Sequence, residues 1–222
     1  EFAAVAAALG KSVQLVDRGD RLMARAISHE MSALFLDAHQ SWGVKFHFNQ
    51  GVSRITHANG KVTGVVKENG EELPADLVVY GIGIIPNITL AAEAGLEIDN
   101  GIKVDANETT LGDGSTGDGN HLLNLAPFIA TPWFWTDQGN LKLQIVGLST
   151  GFDTTVTLGD PNSQQFSVLC FRKDHLVAVE SCNRPSDHMA GKKLLSRPAE
   201  LTISEASTPG FDLKAWEIAH RT

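Results

Sequence analysis

The sequence predicts an α/β fold in the first half of the chain and an α+β domain built on an antiparallel sheet in the second. In the first half, a short apolar strand within residues 11–17 stands between two helical segments, as in parallel sheets covered by helices. In the second half, from residue 132 onward, short apolar segments follow one another at hairpin spacing, which is typical of antiparallel pairing.

The first half opens on residues with strong helical signals. Residues 1–9 are rich in alanine, which has the highest helix propensity, and Gly10 is placed to end that helix. The strand within residues 11–17 follows. Ser28 is then placed to cap a second helix, whose apolar residues recur at helical spacing until Gly43.

Three alternating segments and one continuous apolar run complete this half. Residues 44–48, 52–56 and 62–67 alternate apolar and polar side chains, and the Asn-Gly pairs at 59–60 and 69–70 predict tight turns. Residues 75–80 are apolar throughout, which predicts a central parallel strand. A helix is then expected from Pro86-Asn87 to Gly95.

The second half reads as a series of hairpins closed by helices. We predict strands over residues 141–148, 154–158, 166–171 and 176–180, with the last hairpin turning at Lys173-Asp174. A helix is expected after Pro185, and a short one over residues 213–220, where we expect Trp216 to be packed.

Composition excludes several classes of function. The chain has 222 residues, 42% hydrophobic and 20% charged, which suits one large or two smaller globular domains. A net charge of -8 argues against nucleic-acid binding, which needs a basic face. No apolar run approaches the roughly 20 residues that span a bilayer, and no signal segment is recognisable, so we expect a cytoplasmic protein without a membrane partner.

The cysteines and histidines show no metal-binding pattern. Cys170 and Cys182 lie twelve residues apart in apolar surroundings, which predicts buried free thiols. None of the 8 histidines has the spacing of paired ligands. We therefore predict no metal site.

The segment from Pro132 to Gln138 is the strongest functional signal. Trp133 and Trp135 stand two residues apart, so on an extended strand both indoles leave the same face. They form either an aromatic platform or a pair of half-buried core tryptophans.

Three stretches taken together indicate a family. The tryptophan segment with its continuation to Leu148, the run at residues 76–87 and the run at residues 100–105 resemble the FAD-dependent NADH:ferredoxin reductases, of the putidaredoxin and rubredoxin reductase type. The resemblance covers residues 1 to about 107 and 132 to about 195. It implies a Rossmann-like NADH-binding domain at 1–106 lacking its first strand, a junction at 107–131, and a C-terminal reductase domain at 132–222.

The resemblance also implies a function with cofactors and partners. Such enzymes pass hydride from NADH to FAD, and single electrons then go to a [2Fe-2S] ferredoxin or a rubredoxin that serves an oxygenase. Because this chain is acidic, a basic cluster would have to dock an acidic ferredoxin, and the clusters available are Arg172-Lys173, Lys192-Lys193 and Arg197.

Site residues follow from the same resemblance, and the position of one of them in the chain supports it further. Asp17 ends the second strand of a nucleotide-binding unit, where a carboxylate accepts hydrogen bonds from the adenine-ribose hydroxyls and favours NADH over NADPH. The guanidinium of Arg18, the next residue, could instead bind the 2′-phosphate of NADPH. The resemblance assigns cofactor contacts to a further set: Glu1 at the nicotinamide, Arg25 near the adenosine, Gly81, Ile82 and Gly83 beside the dinucleotide, and Trp135 against the isoalloxazine, flanked by Trp133, Asp137 and Gln138.

The chain also departs from the family pattern. The glycine turn that precedes Glu1 in such units is absent, and residues 108–121 are shorter than the family's second FAD-binding segment, so no flavin role is assigned to Asp113. We expect a fragment or an internally deleted product that does not retain FAD. Two alternatives to the reductase stay open: a non-catalytic NADH- or partner-binding remnant, and a disulfide reductase, which the tryptophan segment disfavours.

Overall fold

A computed structural model describes residues 1–104, 130–197 and 200–221 of the chain. The chain divides into two compact units, residues 1–78 together with 131–222, and residues 79–130. In the larger unit, the elements of the N-terminal part are α1 (Phe2–Ala8), β1 (Gln14–Val16), α2 (His29–Ser41), β2 (Lys45–His47), β3 (Val52–Ala58), β4 (Lys61–Lys67) and β5 (Glu72–Pro74). The smaller unit contains α3 (Thr89–Glu93).

The C-terminal part of the larger unit carries the remaining elements. These are β6 (Trp133–Gln138), β7 (Leu141–Gly147), β8 (Thr154–Asp160), β9 (Gln165–Arg172), β10 (His175–Cys182), α4 (Pro185–Leu195), α5 (Ile203–Ala206) and α6 (Leu213–Ala219). None of the helices in the described ranges is both long enough and apolar enough to cross a membrane.

The start of the N-terminal part follows the sequence signals closely. Strands β1 and β2 pair in parallel, with Gln14 opposite Lys45, and α2 makes the crossover between them. The hydroxyl oxygen of Ser28 accepts a hydrogen bond from the backbone N–H of Met31 at 3.3 Å, which confirms the predicted cap. Strands β3, β4 and β5 form a separate antiparallel sheet.

The turn between β3 and β4 shows why the Asn-Gly signal is reliable. Asn59 and Gly60 both have positive φ angles, 51° and 75°. Two successive positive φ values define the hairpin turn whose twist matches that of the strands, and Asn and Gly are the residues that adopt them at least cost. The predicted hairpin is confirmed.

The predicted central strand at residues 75–80 is wrong. The segment has no strand pairing, and Leu77, Val79 and Tyr80 are 69%, 57% and 73% exposed. A buried parallel strand needs a hydrogen-bonding neighbour and helices on both faces. In the described part of the chain, β1 and β2 pair only with each other, so this apolar run has no strand beside it.

The C-terminal part is built on a five-stranded antiparallel sheet in the order β6-β7-β10-β9-β8. Lys173 and Asp174 turn the central hairpin with φ angles of 50° and 64°, as predicted. This antiparallel sheet and the helix-crossed parallel pair confirm the predicted fold class.

Two cores cover the two faces of this sheet. One contains Met31 and Phe35 of α2 packed with Leu143 of β7 and Phe166 of β9. The other contains Val146 and Val179 of the sheet packed with residues of α4, α5 and α6. The sheet therefore lies between a helix of the N-terminal part and the helices that follow it, and its edge strand β6 carries the tryptophans.

Candidate functional site

The two tryptophans of β6 lie on the same face, as predicted. Their rings are stacked with centroids 5.3 Å apart and planes inclined by 24°. Trp133 is 46% exposed and Trp135 is 62% exposed. Alternation along the strand puts Asp137 on this face as well. We call the exposed side of β6 formed by Trp133, Trp135 and Asp137 the tryptophan face.

The tryptophan face continues onto the neighbouring strand. Trp135 lies opposite Gln144 and Asp137 lies opposite Lys142 in the β6–β7 pairing. Beside them is an open cleft of about 530 Å³, whose lining residues are Trp133, Trp135, Asp137, Lys142, Gln144, Asn183 and Pro185. A flat aromatic surface next to an open, partly polar cleft is suited to a planar heteroaromatic ligand.

Helix α4 supplies a positive charge to one end of this face. The Lys192 Nζ atom lies 4.6 Å from the centroid of the Trp133 ring, within the range of a cation–π interaction. The ring of His188 lies 6.1 Å from the same indole. Burial, and then the nearby Lys192, lower the pKa of His188, so this histidine is neutral at pH 7 and the local charge comes from Lys192.

Gln138 lies on the opposite face of β6 from the tryptophans. Its side chain is buried, and its Oε1 atom lies 2.7 Å from the Nε2 atom of His39 at the end of α2. Burial lowers the pKa of His39, despite the opposing effect of the hydrogen bond with Gln138. The structure thus does not bring Gln138 together with the other predicted flavin contacts.

Glu1 also meets β6 from the side of Gln138. Its Oε1 atom accepts a hydrogen bond from the Thr136 hydroxyl at 2.7 Å. The first residue of α1 and the middle of the tryptophan strand are therefore in direct contact.

The predicted ribose-binding residues lie at the end of β1. The Oδ1 atom of Asp17 accepts a hydrogen bond from the backbone N–H of Gly19 at 2.8 Å, which forms a local turn. Arg18 makes an ion pair with Glu68, and its side chain is 75% exposed. Arg25 is exposed on the segment before α2.

Gly81, Ile82 and Gly83 belong to the smaller unit. Ile82 is 89% exposed, and Gly83 has a φ of 106°, a backbone conformation that side chains rarely adopt. Asp113, to which no flavin role is assigned, lies outside the described residues. In the described ranges, no group of three or more His, Cys, Asp or Glu side chains is arranged to hold a metal ion.

Four residues of this site were missing from the predicted cofactor contacts: Lys142, Gln144, Asn183 and Lys192. The two-residue turn Gly139-Asn140 fixes the register of β6 on β7, so the turn could have identified Lys142 and Gln144 as cross-strand neighbours. Lys192 reaches Trp133 through packing of α4 on the sheet, and no local pattern signals that contact.

Comparison with known protein families matches both halves of the chain. Residues 1–114 match the pyridine nucleotide-disulphide oxidoreductase family, and residues 133–216 match the reductase C-terminal family. Since the first match covers half of the chain, the chain belongs to the pyridine nucleotide-disulphide oxidoreductase family. The predicted resemblance is confirmed.

Similar proteins include several reductases, two of which have solved structures. Rhodocoxin reductase from Rhodococcus erythropolis is 38% identical over 252 aligned residues, which cover 100% of this chain and 59% of that protein. The crystal structure of the ferredoxin reductase for the CYP199A2 system of Rhodopseudomonas palustris has a TM-score of 0.86 at 36% identity, covering 97% of this chain and 61% of that one. The covalent putidaredoxin reductase–putidaredoxin complex has a TM-score of 0.84 at 29% identity, covering 98% and 60%.

The chain spans about three fifths of the length of these relatives. The alignment with rhodocoxin reductase is also longer than the 222 residues of this chain, so that relative has residues, within the matched region, that this chain lacks.

Proposed function

We propose that this chain serves in a flavoprotein oxidoreductase that takes hydride from NADH to FAD and passes electrons to a ferredoxin or rubredoxin of an oxygenase system. The observation that carries the proposal is the stacked, exposed pair of Trp133 and Trp135 beside an open cleft. Each exposed indole presents a large apolar area to water, which is unfavourable in free energy. A pair of them in contact is therefore typical of a surface that binds a ligand or partner. The family of the chain supports the same conclusion.

The tryptophan face has the shape and chemistry that a flavin ring requires. Trp135 offers a flat apolar surface, Trp133 supports it from one side, and Asp137 with Gln144 offers polar groups at the edge. When bound, FAD and NADH supply the hydride and electron transfer. The protein would hold the rings and set the charge nearby.

NADH binding is proposed for residues of the N-terminal part. The carboxylate of Asp17 would accept hydrogen bonds from the adenine-ribose hydroxyls, and Glu1 would face the nicotinamide. Arg18 forms an exposed ion pair with Glu68, which competes only weakly with a ribose phosphate for the guanidinium. Gly83, with its positive φ, would let the backbone approach the dinucleotide, with Gly81 and Ile82 beside it. Arg25 is proposed near the adenosine.

Docking of an acidic redox partner is proposed at the rim of the tryptophan face. The chain as a whole is negative, so attraction of an acidic protein needs a local positive patch. Lys142 and Lys192 place positive charges at two sides of the tryptophans. A solved structure of a relative contains putidaredoxin covalently joined to its reductase. We propose a cytoplasmic location, which agrees with the unpaired, buried state of Cys170 and Cys182.

The test measures flavin binding by the purified protein and by variants of β6. The sequence predicts that FAD is not retained through purification, so the flavin is added and its affinity is measured. Trp135→Ala removes stacking area, and we expect added FAD to bind about tenfold more weakly than to the unaltered protein, equivalent to about 1.4 kcal/mol. Phe134→Ala is the matched control, because Phe134 is an aromatic residue of the same strand on the opposite face and is 37% exposed. Equal losses in both variants would contradict the proposal.

A second candidate is an NADH- or partner-binding protein without catalysis. It is favoured by residues 75–80, which expose apolar side chains instead of forming a central strand of a nucleotide-binding sheet. Flavin absorbance and NADH-dependent reduction of a [2Fe-2S] ferredoxin distinguish the two candidates. A flavin-containing preparation that reduces ferredoxin supports the reductase, whereas a colourless preparation that still binds NADH or ferredoxin supports the binding protein.

A further inference from the structure

Three separate elements meet behind the tryptophan face through a line of hydrogen bonds. The Thr136 hydroxyl lies 2.7 Å from the Glu1 carboxylate at the start of α1. The Gln138 amide nitrogen lies 3.2 Å from the Thr136 hydroxyl oxygen. The Gln138 Oε1 atom lies 2.7 Å from the Nε2 atom of His39 near the end of α2. Side chains of β6 thus join the ends of both helices.

The carboxylate of Glu1 determines which group donates and which accepts in each hydrogen bond of this line. An ionised carboxylate has only acceptors, so the single proton of the Thr136 hydroxyl must point toward Glu1. The Thr136 oxygen then accepts from the amide of Gln138, and the Gln138 carbonyl is turned toward His39. His39 must therefore carry its proton on Nε2.

The surroundings of His39 and Gln138 agree with this direction. The Nδ1 atom of His39 is buried and has no hydrogen-bond partner among the described residues, as fits an unprotonated nitrogen. The second amide hydrogen of Gln138 is directed toward the Met23 sulfur, 3.8 Å from the amide nitrogen. The rings of Trp42 and Phe46 pack against the His39 ring, with centroids 4.8 and 6.1 Å from it.

We infer that Thr136, Gln138 and His39 are positioning residues that hold the Glu1 carboxylate from behind the strand carrying the tryptophans. The inference deepens the proposed function and rests on it, because it gives Glu1 its fixed orientation toward the nicotinamide. Alternate side chains of β6 then have separate roles: Trp133 and Trp135 form the tryptophan face, and Thr136 holds the Glu1 carboxylate.

The first test reads the protonated nitrogen of His39 by ¹⁵N NMR of its ring and needs no cofactor. We expect the Nε2–H tautomer in the unaltered protein at neutral pH. Glu1→Gln introduces a side chain that can donate as well as accept, so the line loses its fixed direction and the Nδ1–H tautomer gains population. Glu30→Gln is the matched control, since Glu30 accepts a hydrogen bond from Thr155 on the other edge strand at 2.5 Å. An Nδ1–H tautomer in the unaltered protein, or equal effects of the two variants, would overturn the inference.

The second test measures NADH affinity in threonine variants. Thr136→Val removes the hydroxyl at nearly constant volume, and we expect NADH to bind about tenfold more weakly, with Thr136→Ser restoring the affinity. Thr155→Val loses the same kind of contact on β8, and we expect unchanged affinity. Equal effects of Thr136→Val and Thr155→Val would contradict the positioning role. If the unaltered protein fails to bind NADH, the proposed function and the role toward the nicotinamide both fail, and the His39 tautomer still decides whether the line holds Glu1.

Discussion

The carboxylate of Glu180 accepts hydrogen bonds from both the backbone N–H and the hydroxyl of Ser28. The N–H of Ser28 lies 2.8 and 3.0 Å from the two carboxylate oxygens, and the hydroxyl lies 2.6 Å from one of them. Both residues are fully buried. The contact joins the start of α2 to β10 in the middle of the antiparallel sheet.

Stability should therefore depend on pH through Glu180. Burial raises the pKa of Glu180 from its ordinary value of 4.5 to about 7, although the hydrogen bonds from Ser28 favour the charged form. A carboxyl whose pKa is raised on folding stabilises the fold below its unfolded pKa, and that contribution is lost as pH rises through the folded pKa. Between pH 4.5 and 8 the loss should reach about 3 kcal/mol of unfolding free energy.

Urea unfolding of the protein and of Glu180→Gln at several pH values measures this contribution. The glutamine is neutral at all pH values and keeps an oxygen for the Ser28 N–H, so the stability of the variant relative to the unaltered protein should rise with pH. The Cys170 thiol at 3.8 Å and the nearby Glu30 carboxylate are the other titratable groups that act on Glu180. A constant difference between the two proteins from pH 5 to 8 would show that Glu180 does not titrate in this range.

Substitution of Gly147 should be far more damaging than substitution of Gly151. Both glycines have positive φ angles, 83° and 74°. A Cβ atom at position 147 would collide with the carbonyl oxygen of Val177 and lie 2.9 Å from the Cα of Ala178, whereas position 151 faces open space. We expect Gly151→Ala to cost about 1 kcal/mol and Gly147→Ala about 2–4 kcal/mol. Thermal unfolding of the two variants checks this, and similar melting temperatures would count against the close approach of β7 and β10.

The two cysteines should resist alkylation in the folded protein. Burial raises the pKa of Cys170 well above its ordinary range, with Glu180 adding to the effect, and burial raises the pKa of Cys182 to about 11. The reactive thiolate is therefore scarce at neutral pH, and neither sulfur is accessible. Iodoacetamide followed by mass spectrometry should label neither residue in buffer and both in denaturant. Rapid labelling of the folded protein at either position would contradict the packing.

Asp17→Asn should weaken the preference for NADH over NADPH by about tenfold. Asparagine keeps an oxygen for the Gly19 N–H, so the turn survives while the charge is removed. Adding Glu68→Ala, which releases Arg18 from its ion pair, should increase NADPH binding further. The ratio of the two dissociation constants decides the matter. An unchanged ratio in Asp17→Asn would mean that Asp17 is only part of the local turn.

The sequence predicted elements best where local chemistry determines them. The cap at Ser28 and the turns at Asn59-Gly60 and Lys173-Asp174 depend on a few neighbouring residues, and each has the predicted geometry. The common face of Trp133 and Trp135 depends only on the alternation of a strand. These predictions needed no knowledge of which elements touch.

The failures concern partners that are distant in sequence. The apolar run at residues 75–80 has the composition of a central strand, but composition does not provide the neighbouring strand that such a strand needs. The family resemblance groups Gln138 with the tryptophans, whereas in the structure its side chain lies on the other face of β6 with His39, which is 99 residues away in sequence. No local sequence pattern predicts the packing of α2 on the C-terminal sheet, which involves Phe35 and Ser28. The predicted limits of the two domains stay a prediction.

The residues of strand β6 have two separate roles. Residues 133, 135 and 137 face solvent and are available to a ligand or partner. Residues 136 and 138 form hydrogen bonds with Glu1 and His39. A substitution at an odd position can therefore alter the preference for a ligand or redox partner with little effect on the interior. Recognition in this protein can diverge without loss of the fold, because six consecutive residues divide the two tasks between alternate side chains.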